Sequence, residues 1–464
     1  MSDGPVVMII GGGIGGLMLG MLFERLNLQY HIFERATELR SLGNAPNSRR
    51  RHINCSKCLT SRIISKLGSV MTVGPNILPV FEQLGLLEEV MKLSLPCPGL
   101  SIYNHKLDKL GNIMALSAKE TGYDSVLFAR PRLYELMKKQ IPPNKISLGK
   151  KILSVKEKDD KVLISCSDGS IYEGDLLIGA DGAHSAVRQN IFKTMGELGI
   201  LPKEDLENFH IGYINMVGVA TVDSEKYPQM NDGIAHFATV LGKDNTNWNV
   251  AKVPDNQICW ALGVQLSPAE AKVQHFRNSE WGPEANETML KEFESKPCPW
   301  GGVMKDIFDA TPKNLISKVF LEEKIFKTWH HSRTVLIGDG AINAMQDAVI
   351  LVNCLHDIGN EYTVENLTVA FQEYYRQRYL RSADLVKGSN TMGKIMSGQT
   401  WSERIIRHTL FNFIPNSVQA KISAKVASYR PQITWLPLIE NRGTTPVLPQ
   451  EKPREVLVKK AEAI

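Results

Sequence analysis

The amino-terminal segment constrains the fold more than any other part of this chain. Five apolar residues at positions 6–10 lead directly into Gly11-Gly12-Gly13-Ile14-Gly15-Gly16, and helically spaced apolar residues continue to Leu26. This pattern predicts a buried strand that enters a helix through a glycine turn. A second short strand ends at Glu34, eighteen residues after Gly16. Together these features predict a βαβ unit that binds a dinucleotide.

The residue types of the turn have physical reasons. Gly11 allows the tight turn, Gly13 lets the backbone approach a pyrophosphate, and Gly16 lets the helix pack closely on the strand. The helix that begins at Ile14 offers unpaired N–H groups and its dipole to phosphate charge. The Glu34 carboxylate can accept both ribose hydroxyls and would repel the 2′-phosphate of NADP, which leaves FAD or NAD. An ordinary glycine turn is the weaker alternative.

Composition places the chain among globular proteins. It has 464 residues, of which 43% are apolar and 22% are charged, so we expect two packed domains. No run of about 18 apolar residues suggests a spanning helix. The first strand begins almost at the amino terminus, which leaves no room for a signal peptide, and we expect a cytoplasmic protein.

The net charge of +5 comes from one stretch. Residues 44–66 hold six basic residues and no acid, so the remainder carries 5 − 6 = −1. We interpret this stretch as a disordered basic insertion and expect no nucleic-acid partner. Of seven scattered cysteines, only Cys55 and Cys58 are close, and they lack further ligands at zinc spacing. His330 and His331 would face opposite ways in an extended segment, so we expect no metal site.

Periodicity along the chain predicts an α/β fold. The nucleotide-binding domain returns after interruptions, because Gly179-Ala180-Asp181-Gly182 and Leu336-Ile337-Gly338-Asp339 each follow an apolar strand. Stretches 211–222 and 248–266 have strand spacing without a glycine loop and suit an antiparallel sheet. The predicted division is FAD-binding segments 1–92, 117–195 and 326–395, substrate-domain segments 93–116 and 196–325, and a carboxy-terminal helical region with a tail, 396–464.

These motifs, in this order, resemble the class A FAD-dependent monooxygenases of the para-hydroxybenzoate hydroxylase superfamily. The resemblance is strongest to fungal members that oxygenate or epoxidise polycyclic and isoprenoid metabolites, and it spans roughly residues 5–440. Four segments carry it, namely the glycine turn with Glu34 and Arg35, the segment 128–133 around Arg130, the segment 179–188, and the segment 333–339. It implies a Rossmann-like FAD/NAD(P)-binding domain beside an antiparallel substrate domain and carboxy-terminal helices.

The resemblance also implies roles for individual residues. Glu34 would hold the adenosine ribose, Arg130 would lie beside the ribityl chain and pyrophosphate, and Asp339 would accept a hydrogen bond from a ribityl hydroxyl. Read alone, Asp339 could also be a helix N-cap. Asp181 and Gly182 would serve FAD and the pyridine nucleotide. The other predicted cofactor contacts are Gly11, Gly13, Ile14, Gly16, Arg35, Thr72 and Ala341.

The implied chemistry is that of the cofactor. NADH or NADPH would reduce FAD, O₂ would add at the flavin C4a, and the hydroperoxide would deliver one oxygen atom to substrate. The substrate would be a hydrophobic or aromatic small molecule, with an isoprenoid as one candidate. The protein would orient the substrate and keep water away from the reacting flavin. No catalytic side chain can be assigned from the sequence. Tyr213 is a weak candidate for orienting the substrate, and a core tyrosine with its hydroxyl at the edge is the favoured alternative.

Two departures from the family pattern bear on activity. After Gly338-Asp339 about ten residues of a flavin-covering loop are missing, because Gly340-Ala341 runs straight into the next helix. The basic insertion resembles translated non-coding sequence, and we hypothesise gene-model errors at both places. The alternatives to a monooxygenase are therefore a flavin oxidase or dehydrogenase on the same fold, or an impaired FAD-binding relic.

The carboxy-terminal helices pose a question of placement. Residues 401–413 and 417–429 have helical spacing, and the first of these segments is apolar at Ile405, Ile406, Leu410, Phe411 and Phe413. Amphipathic helices usually cover a core, so we expect packing on the main body. Contact with a membrane surface is the alternative.

Overall fold

The computed structural model describes residues 4–37, 70–243, 245–266, 283–338, 340–398, 400–412 and 416–451. The basic insertion, Cys55, Cys58 and Asp339 lie outside these residues. The strands are β1 (Val6–Ile10), β2 (Gln29–Phe33), β3 (Val70–Val73), β4 (Leu95–Pro96), β5 (Gly99–Asn104), β6 (Lys109–Met114), β7 (Val126–Ala129), β8 (Ile146–Ser147), β9 (Ile152–Lys158), β10 (Lys161–Cys166), β11 (Ile171–Gly174), β12 (Leu176–Gly179), β13 (His210–Thr221), β14 (Phe237–Leu241), β15 (Thr246–Val253), β16 (Gln257–Gln265), β17 (Ser317–Glu323), β18 (His330–His331) and β19 (Thr334–Leu336).

The helices are α1 (Ile14–Leu26), α2 (Leu78–Gln83), α3 (Leu87–Lys92), α4 (Ala118–Thr121), α5 (Arg130–Lys138), α6 (Ala186–Glu197), α7 (Pro283–Phe293), α8 (Met304–Asp309), α9 (Ala341–Asp357), α10 (Val364–Ser397), α11 (Trp401–Asn412) and α12 (Asn416–Ala427).

A six-stranded sheet carries the amino-terminal βαβ unit. Its strand order is β18-β19-β12-β1-β2-β8. β1 pairs in parallel with β2 on one side and β12 on the other, and β12 pairs in parallel with β19. The carboxyl ends of these strands therefore meet at one edge, where the segments after Ile10, Gly179 and Leu336 come together. Buried apolar side chains of α1, α9 and α10 form the core on one face of this sheet.

Two smaller sheets flank the parallel one. β3, β7 and β4 form a three-stranded antiparallel sheet, and β9, β10 and β11 form another. Asp168 and Gly169 turn the chain between β10 and β11. Asp159, whose φ of 52° is left-handed, turns it between β9 and β10.

A seven-stranded sheet forms the second large body, with the order β17-β13-β16-β15-β14-β5-β6. β13 pairs with β16 and β16 with β15, all antiparallel. The apolar stretch 248–266 is two strands, because Asp255 and Asn256 adopt left-handed φ values of 65° and 53° and turn the chain. One face of the sheet packs on α7 and α8 through Trp248, Trp260 and their neighbours. The opposite face turns towards β3, β7 and α10. The whole architecture is the α/β fold that the sequence predicts.

The carboxy-terminal helices only partly follow the prediction that they pack on the main body. α11 contacts α10 and β6. However, Ile405 and Ile406 are 55% and 50% exposed, and Trp401 is 76% exposed. Only part of the apolar surface of these helices is therefore buried against the main body. None of the helices that the structure describes is long and apolar enough to cross a bilayer.

Candidate cofactor site

The glycine turn is shaped by close backbone contacts. A Cβ on Gly16 would lie 1.9 Å from the carbonyl oxygen of Gly11, and a Cβ on Gly11 would lie 2.4 Å from that of Ala180. Gly11 also has a φ of 109°, which disfavours any side chain. By contrast, a Cβ on Gly13 would meet no protein atom within 4 Å. The turn is therefore closed on the protein side and open at Gly13.

The open side coincides with a helix amino terminus. Gly13 is the N-cap residue of α1, and no side chain hydrogen-bonds to the first turn there. The first turn of α1 contains no acidic residue that would compete with an anion. The free N–H groups and the positive end of the helix dipole favour a phosphate at this point.

Glu34 lies at the end of β2, next to the turn, and is only 1% exposed. Its Oε2 accepts a hydrogen bond from the Gly12 N–H at 2.8 Å, and its Oε1 accepts one from the Ala36 N–H at 2.8 Å. These two bonds fix the carboxylate without exhausting it, because a carboxylate has about four acceptor positions. Glu34 therefore still has lone pairs for two ribose hydroxyls.

Asp181 supplies a second carboxylate, just after β12. Its Oδ2 accepts hydrogen bonds from the backbone N–H groups of Ala186 and Val187 at 2.6 and 3.3 Å. Its Oδ1 is buried and has no hydrogen-bond partner among the described residues. Burial raises the pKa of Asp181 above its ordinary value. An orphaned buried oxygen of this kind fits a site that a bound polar group completes.

A cavity of about 510 Å³ joins these elements. Gly13 and Glu34 line it, and so do Asp181, Gly338 and Gly340. The structure brings most of the predicted cofactor contacts to this cavity, namely Gly11, Gly13, Ile14, Glu34, Arg35, Arg130, Asp181, Gly182 and Ala341. Sequence reasoning did not identify the lining residues Lys150, Lys151, Gln189 and Asn190, because they carry no motif.

A second cavity of about 750 Å³ adjoins the first. The two share Asp181, Gly182, His184, Gly338 and Gly340, among other residues. Residues that line only the second cavity include the cations Arg188 and Lys324. They also include a set of aromatic and aliphatic residues, namely Phe209, Leu321, Phe326, Trp329, Leu385 and Val386. Because they share these residues, the two cavities are continuous, and we call the first the channel and the second the chamber.

The amino terminus of α9 borders both cavities, and buried hydrogen bonds fix the turn that precedes it. The Gly338 N–H donates to Oδ2 of Asp347 at 2.8 Å, and Oδ1 of Asp347 accepts from Nε of Arg378 at 2.5 Å. Asp347 and Arg378 are completely buried. Sequence reasoning missed this pair because an arginine within a long polar helix is typical of a solvated face. No signal in the sequence links the two positions.

Three predicted site residues stand apart from the cavities. Thr72 is exposed on β3 and lines neither of them. The Tyr213 hydroxyl lies against α10, 2.8 Å from the position that a Cβ on Gly393 would occupy. Gly16 lies behind the turn as a packing residue. Asp339 falls outside the described residues, and the roles predicted for all four stay predictions.

Among the described residues, no group of three or more His, Cys, Asp and Glu side chains could hold a metal ion. The five described cysteines are buried and free. The site offers the amino terminus of α1 and the carboxylates of Glu34 and Asp181, and we call this arrangement the cradle.

The cradle fits FAD on the observations above. It offers the uncapped amino terminus of α1 for the pyrophosphate and the fixed Glu34 carboxylate for the ribose. Where the channel meets the chamber, it offers the buried Oδ1 of Asp181, which has no hydrogen-bond partner among the described residues. Gly340 is the N-cap residue of α9 and has a φ of 95° without a side-chain cap. This helix amino terminus borders the cavity.

Comparison with known proteins agrees with this fit. No protein-family profile matches the sequence. The chain is 24% identical over 461 residues to the FAD-dependent monooxygenase esdpE of Penicillium shearii, covering 93% of this chain and 86% of that protein. It is 24% identical to the aurachin C monooxygenase/isomerase of Stigmatella aurantiaca, covering 85% of this chain and 90% of that protein.

Solved structures share the fold. HpxO of Klebsiella pneumoniae, complexed with FAD and uric acid, superposes with a TM-score of 0.69 at 19% identity and covers 95% of this chain and 99% of that one. The 2,6-dihydroxypyridine-3-hydroxylase of Arthrobacter nicotinovorans gives a TM-score of 0.60 at 16% identity, covering 86% and 95%. The resemblance predicted from the sequence is therefore confirmed, and this chain is an oxidoreductase homologous to the FAD-dependent monooxygenases.

Proposed function

We propose that this chain binds FAD in the channel between Gly13 and Gly340 and uses it to insert one oxygen atom into a hydrophobic or aromatic small molecule. One observation carries the proposal. The channel and the chamber share Asp181, Gly182, Gly338 and Gly340, so a ligand in the channel reaches the chamber. The relatives named above supply the reaction class.

Different residues of the channel would bind different parts of FAD. The first turn of α1 would take the pyrophosphate, Glu34 the adenosine ribose, and Arg130 the phosphate charge from the opposite wall. The open acceptor of Asp181 and the turn at Gly338 would face the part of the cofactor nearest the chamber. FAD, when bound, accepts a hydride equivalent from NAD(P)H and activates O₂.

The overall reaction balances as substrate, O₂, NAD(P)H and a proton giving oxygenated substrate, NAD(P)⁺ and water. The chain's own contribution is to orient the substrate and exclude water. For that task the chamber offers aromatic surface at Phe209, Phe326 and Trp329, beside the cations Arg188 and Lys324. The experiment below determines whether NADH or NADPH is the reductant and which compound is the substrate.

The test is to purify the full chain, measure its flavin absorbance, and follow NADH and NADPH oxidation under ¹⁸O₂ with lipophilic aromatic substrates. Incorporation of one labelled atom per NAD(P)H consumed supports the proposal. Turnover that releases only hydrogen peroxide would favour the oxidase alternative. A chain that neither contains nor takes up FAD would favour the relic.

We also propose a cytoplasmic location, with contact at a membrane surface as the alternative. The exposed Trp401, Ile405 and Ile406 on α11 support that alternative. Sedimentation of the chain with anionic and neutral liposomes distinguishes the two. Recovery of the chain in the supernatant with both lipids would exclude the membrane contact.

A further inference from the structure

A group of three aromatic side chains begins at the wall of the chamber. Trp329 lines the chamber and is 8% exposed. The centroid of its ring lies 5.4 Å from that of Tyr375 and 6.0 Å from that of Tyr379. The two tyrosine rings stack on each other at 4.7 Å, with an angle of 19° between their planes. The three rings are therefore in mutual contact, and we call them the aromatic triad.

The triad connects the chamber with the outer surface. Tyr375 and Tyr379 lie one turn apart on α10, and both are half-buried. Neither tyrosine lines the channel or the chamber. Leu380, which follows Tyr379, is 71% exposed. The open edges of the two phenol rings therefore face solvent, whereas the indole faces the chamber.

The indole is fixed close to the turn that borders both cavities. Nε1 of Trp329 donates to the carbonyl oxygen of Phe326 at 2.9 Å. The carbonyl oxygen of Trp329 accepts from the N–H of Leu336 at 2.8 Å, two residues before Gly338. Tyr374, which is completely buried, packs on the indole with 5.4 Å between the ring centroids. The distances within the triad are therefore set by the fold.

Trp329 stands out among the residues that line the two cavities. Of the described residues in these linings, none is Cys, Met or Tyr, and Trp329 is the one tryptophan. Cys, Met, Tyr and Trp are the side chains that oxidants attack most readily. An oxidant formed beside the chamber therefore meets one readily oxidised side chain there, and that side chain belongs to the triad.

We propose that the aromatic triad is an electron-transfer chain that removes oxidising equivalents from the chamber and delivers them to the protein surface. The proposal rests on the proposed function, because it requires O₂ to be reduced beside the chamber. The oxidant is an oxygen-centred radical derived from peroxide that is released when no substrate accepts the oxygen atom. The triad would limit such side reactions.

Each step moves one electron. The oxygen-centred radical takes one electron from Trp329 and becomes an anion, which leaves an indole radical cation. Tyr375 or Tyr379 returns one electron to the indole and loses its phenolic proton to water. A soluble reductant, such as ascorbate or a thiol, then supplies one electron and one proton to the phenoxyl group. The net reaction reduces the oxygen-centred radical and leaves the protein unchanged.

The order of the rings favours this direction. At neutral pH a tyrosine that loses an electron together with its proton is oxidised more easily than an indole that loses an electron alone. Burial raises the pKa of Tyr375 to about 12, so the phenol keeps its proton until it is oxidised. Solvent at the half-buried rings then accepts that proton. The oxidising equivalent therefore moves from the indole to the phenols.

The first test uses the full chain loaded with FAD and tyrosine deuterated in the ring. Under blue light one electron passes to the flavin from a nearby aromatic side chain, and electron paramagnetic resonance of the frozen sample identifies the oxidised residue. Wild type is expected to give a tyrosyl signal, which Trp329→Phe should lose. The double variant Tyr375→Phe/Tyr379→Phe should give a tryptophan signal instead. A tyrosyl signal that is unchanged in both variants would overturn the proposal.

Matched controls remove the same groups elsewhere. Trp300 belongs to the apolar cluster that covers the other large sheet, and Tyr103 packs against it. Neither residue lines the channel or the chamber, so Trp300→Phe and Tyr103→Phe should keep the wild-type signal. Thermal unfolding shows whether each variant is folded. The double tyrosine variant removes only two hydroxyl groups, so it tests the chain even where Trp329→Phe is unstable.

A second test needs no FAD. Azide radicals made by pulse radiolysis take one electron from tryptophan and become azide ions, and the indole radical absorption then gives way to phenoxyl absorption. Cofactor-free wild type should show a phase of this conversion whose rate is independent of protein concentration and which both triad variants lack. Absence of such a phase would overturn the proposal. A chain that shows the phase but takes up no FAD would contradict the proposed function alone.

A third measurement addresses protection. Wild type and the double tyrosine variant are incubated with NAD(P)H, O₂ and ascorbate without substrate, and oxidation of Trp329 is followed by peptide mass spectrometry. The variant should accumulate oxidised Trp329 faster, because the indole radical is no longer reduced by the phenols. Equal rates in the two proteins would overturn the protective role.

Discussion

Nε of Arg378 lies 2.5 Å from Oδ1 of Asp347, and both side chains are completely buried although they are 31 residues apart in sequence. The same carboxylate accepts the N–H of Gly338 through its other oxygen. A single buried ion pair therefore holds α9, α10 and the turn that borders both cavities. Removing one partner would leave an uncompensated buried charge.

Arg378→Met should therefore destabilise the chain by about 3–5 kcal/mol, the usual cost of breaking a buried pair. Adding Asp347→Asn should recover part of this loss, because the asparagine keeps an oxygen for Gly338 without a charge. The free energy of unfolding in urea measures both effects. Arg132→Met, which removes an exposed pair with Asp255, is the control and should cost about 1 kcal/mol or less. An Arg378→Met chain as stable as this control would refute the assigned role.

Asp181 should make the stability of the cofactor-free chain depend on pH. Burial raises its pKa above the ordinary value of 3.8, so the folded state holds its proton more tightly than the unfolded state does. Below pH 3.8 both states are protonated and no penalty applies. As the pH rises from 3.8 through the folded-state pKa, the unfolded state ionises first and the folded state loses stability.

Asp181→Asn is neutral at every pH and should remove this dependence. The difference in unfolding free energy between the variant and wild type should shift in favour of the variant as the pH rises above 3.8. Urea midpoints over a pH series provide the measurement. A difference that stays constant over the series, or shifts towards wild type, would show that burial does not control this carboxylate.

Glu34→Gln should weaken FAD binding. The glutamine keeps one oxygen for the backbone but loses the charge and two acceptor positions, so about 1.5–3 kcal/mol of charge-assisted bonding to the ribose is lost. That corresponds to an increase of about ten- to a hundredfold in the Kd for FAD. Titration of cofactor-free protein by flavin fluorescence gives the Kd, with the exposed Glu88→Gln as control. Identical Kd values for Glu34→Gln and the control would contradict the ribose contact.

The sequence predicted the amino-terminal βαβ unit because its signals are local. An apolar run at β1, the glycines and the acidic end of β2 lie within about thirty residues, and the structure places them as expected. The sequence also predicted β12 and β19, which bring Asp181 and Gly338 to the same edge, since each strand is apolar and is followed by a turn.

Other features could not be read from the sequence because they depend on pairing register. Gly263 of β16, for example, aligns with Asn215 of β13 and Asn247 of β15, and no signal in the three separate segments shows that alignment. The Asp347–Arg378 pair likewise depends on how α10 crosses α9. The outward orientation of Ile405 and Ile406 was not predictable, because an apolar stripe is identical whether or not another element covers it.

The account depends most directly on FAD lying above Gly13, and one comparison of two alanine variants tests it. Gly13→Ala adds a methyl group where no protein atom lies within 4 Å, and Gly196→Ala does the same on α6, away from the cavities. Both variants should unfold at temperatures close to that of wild type. Calorimetric titration with FAD should give tight binding for wild type and Gly196→Ala, and binding at least tenfold weaker for Gly13→Ala. Equal affinity in all three proteins would contradict the account.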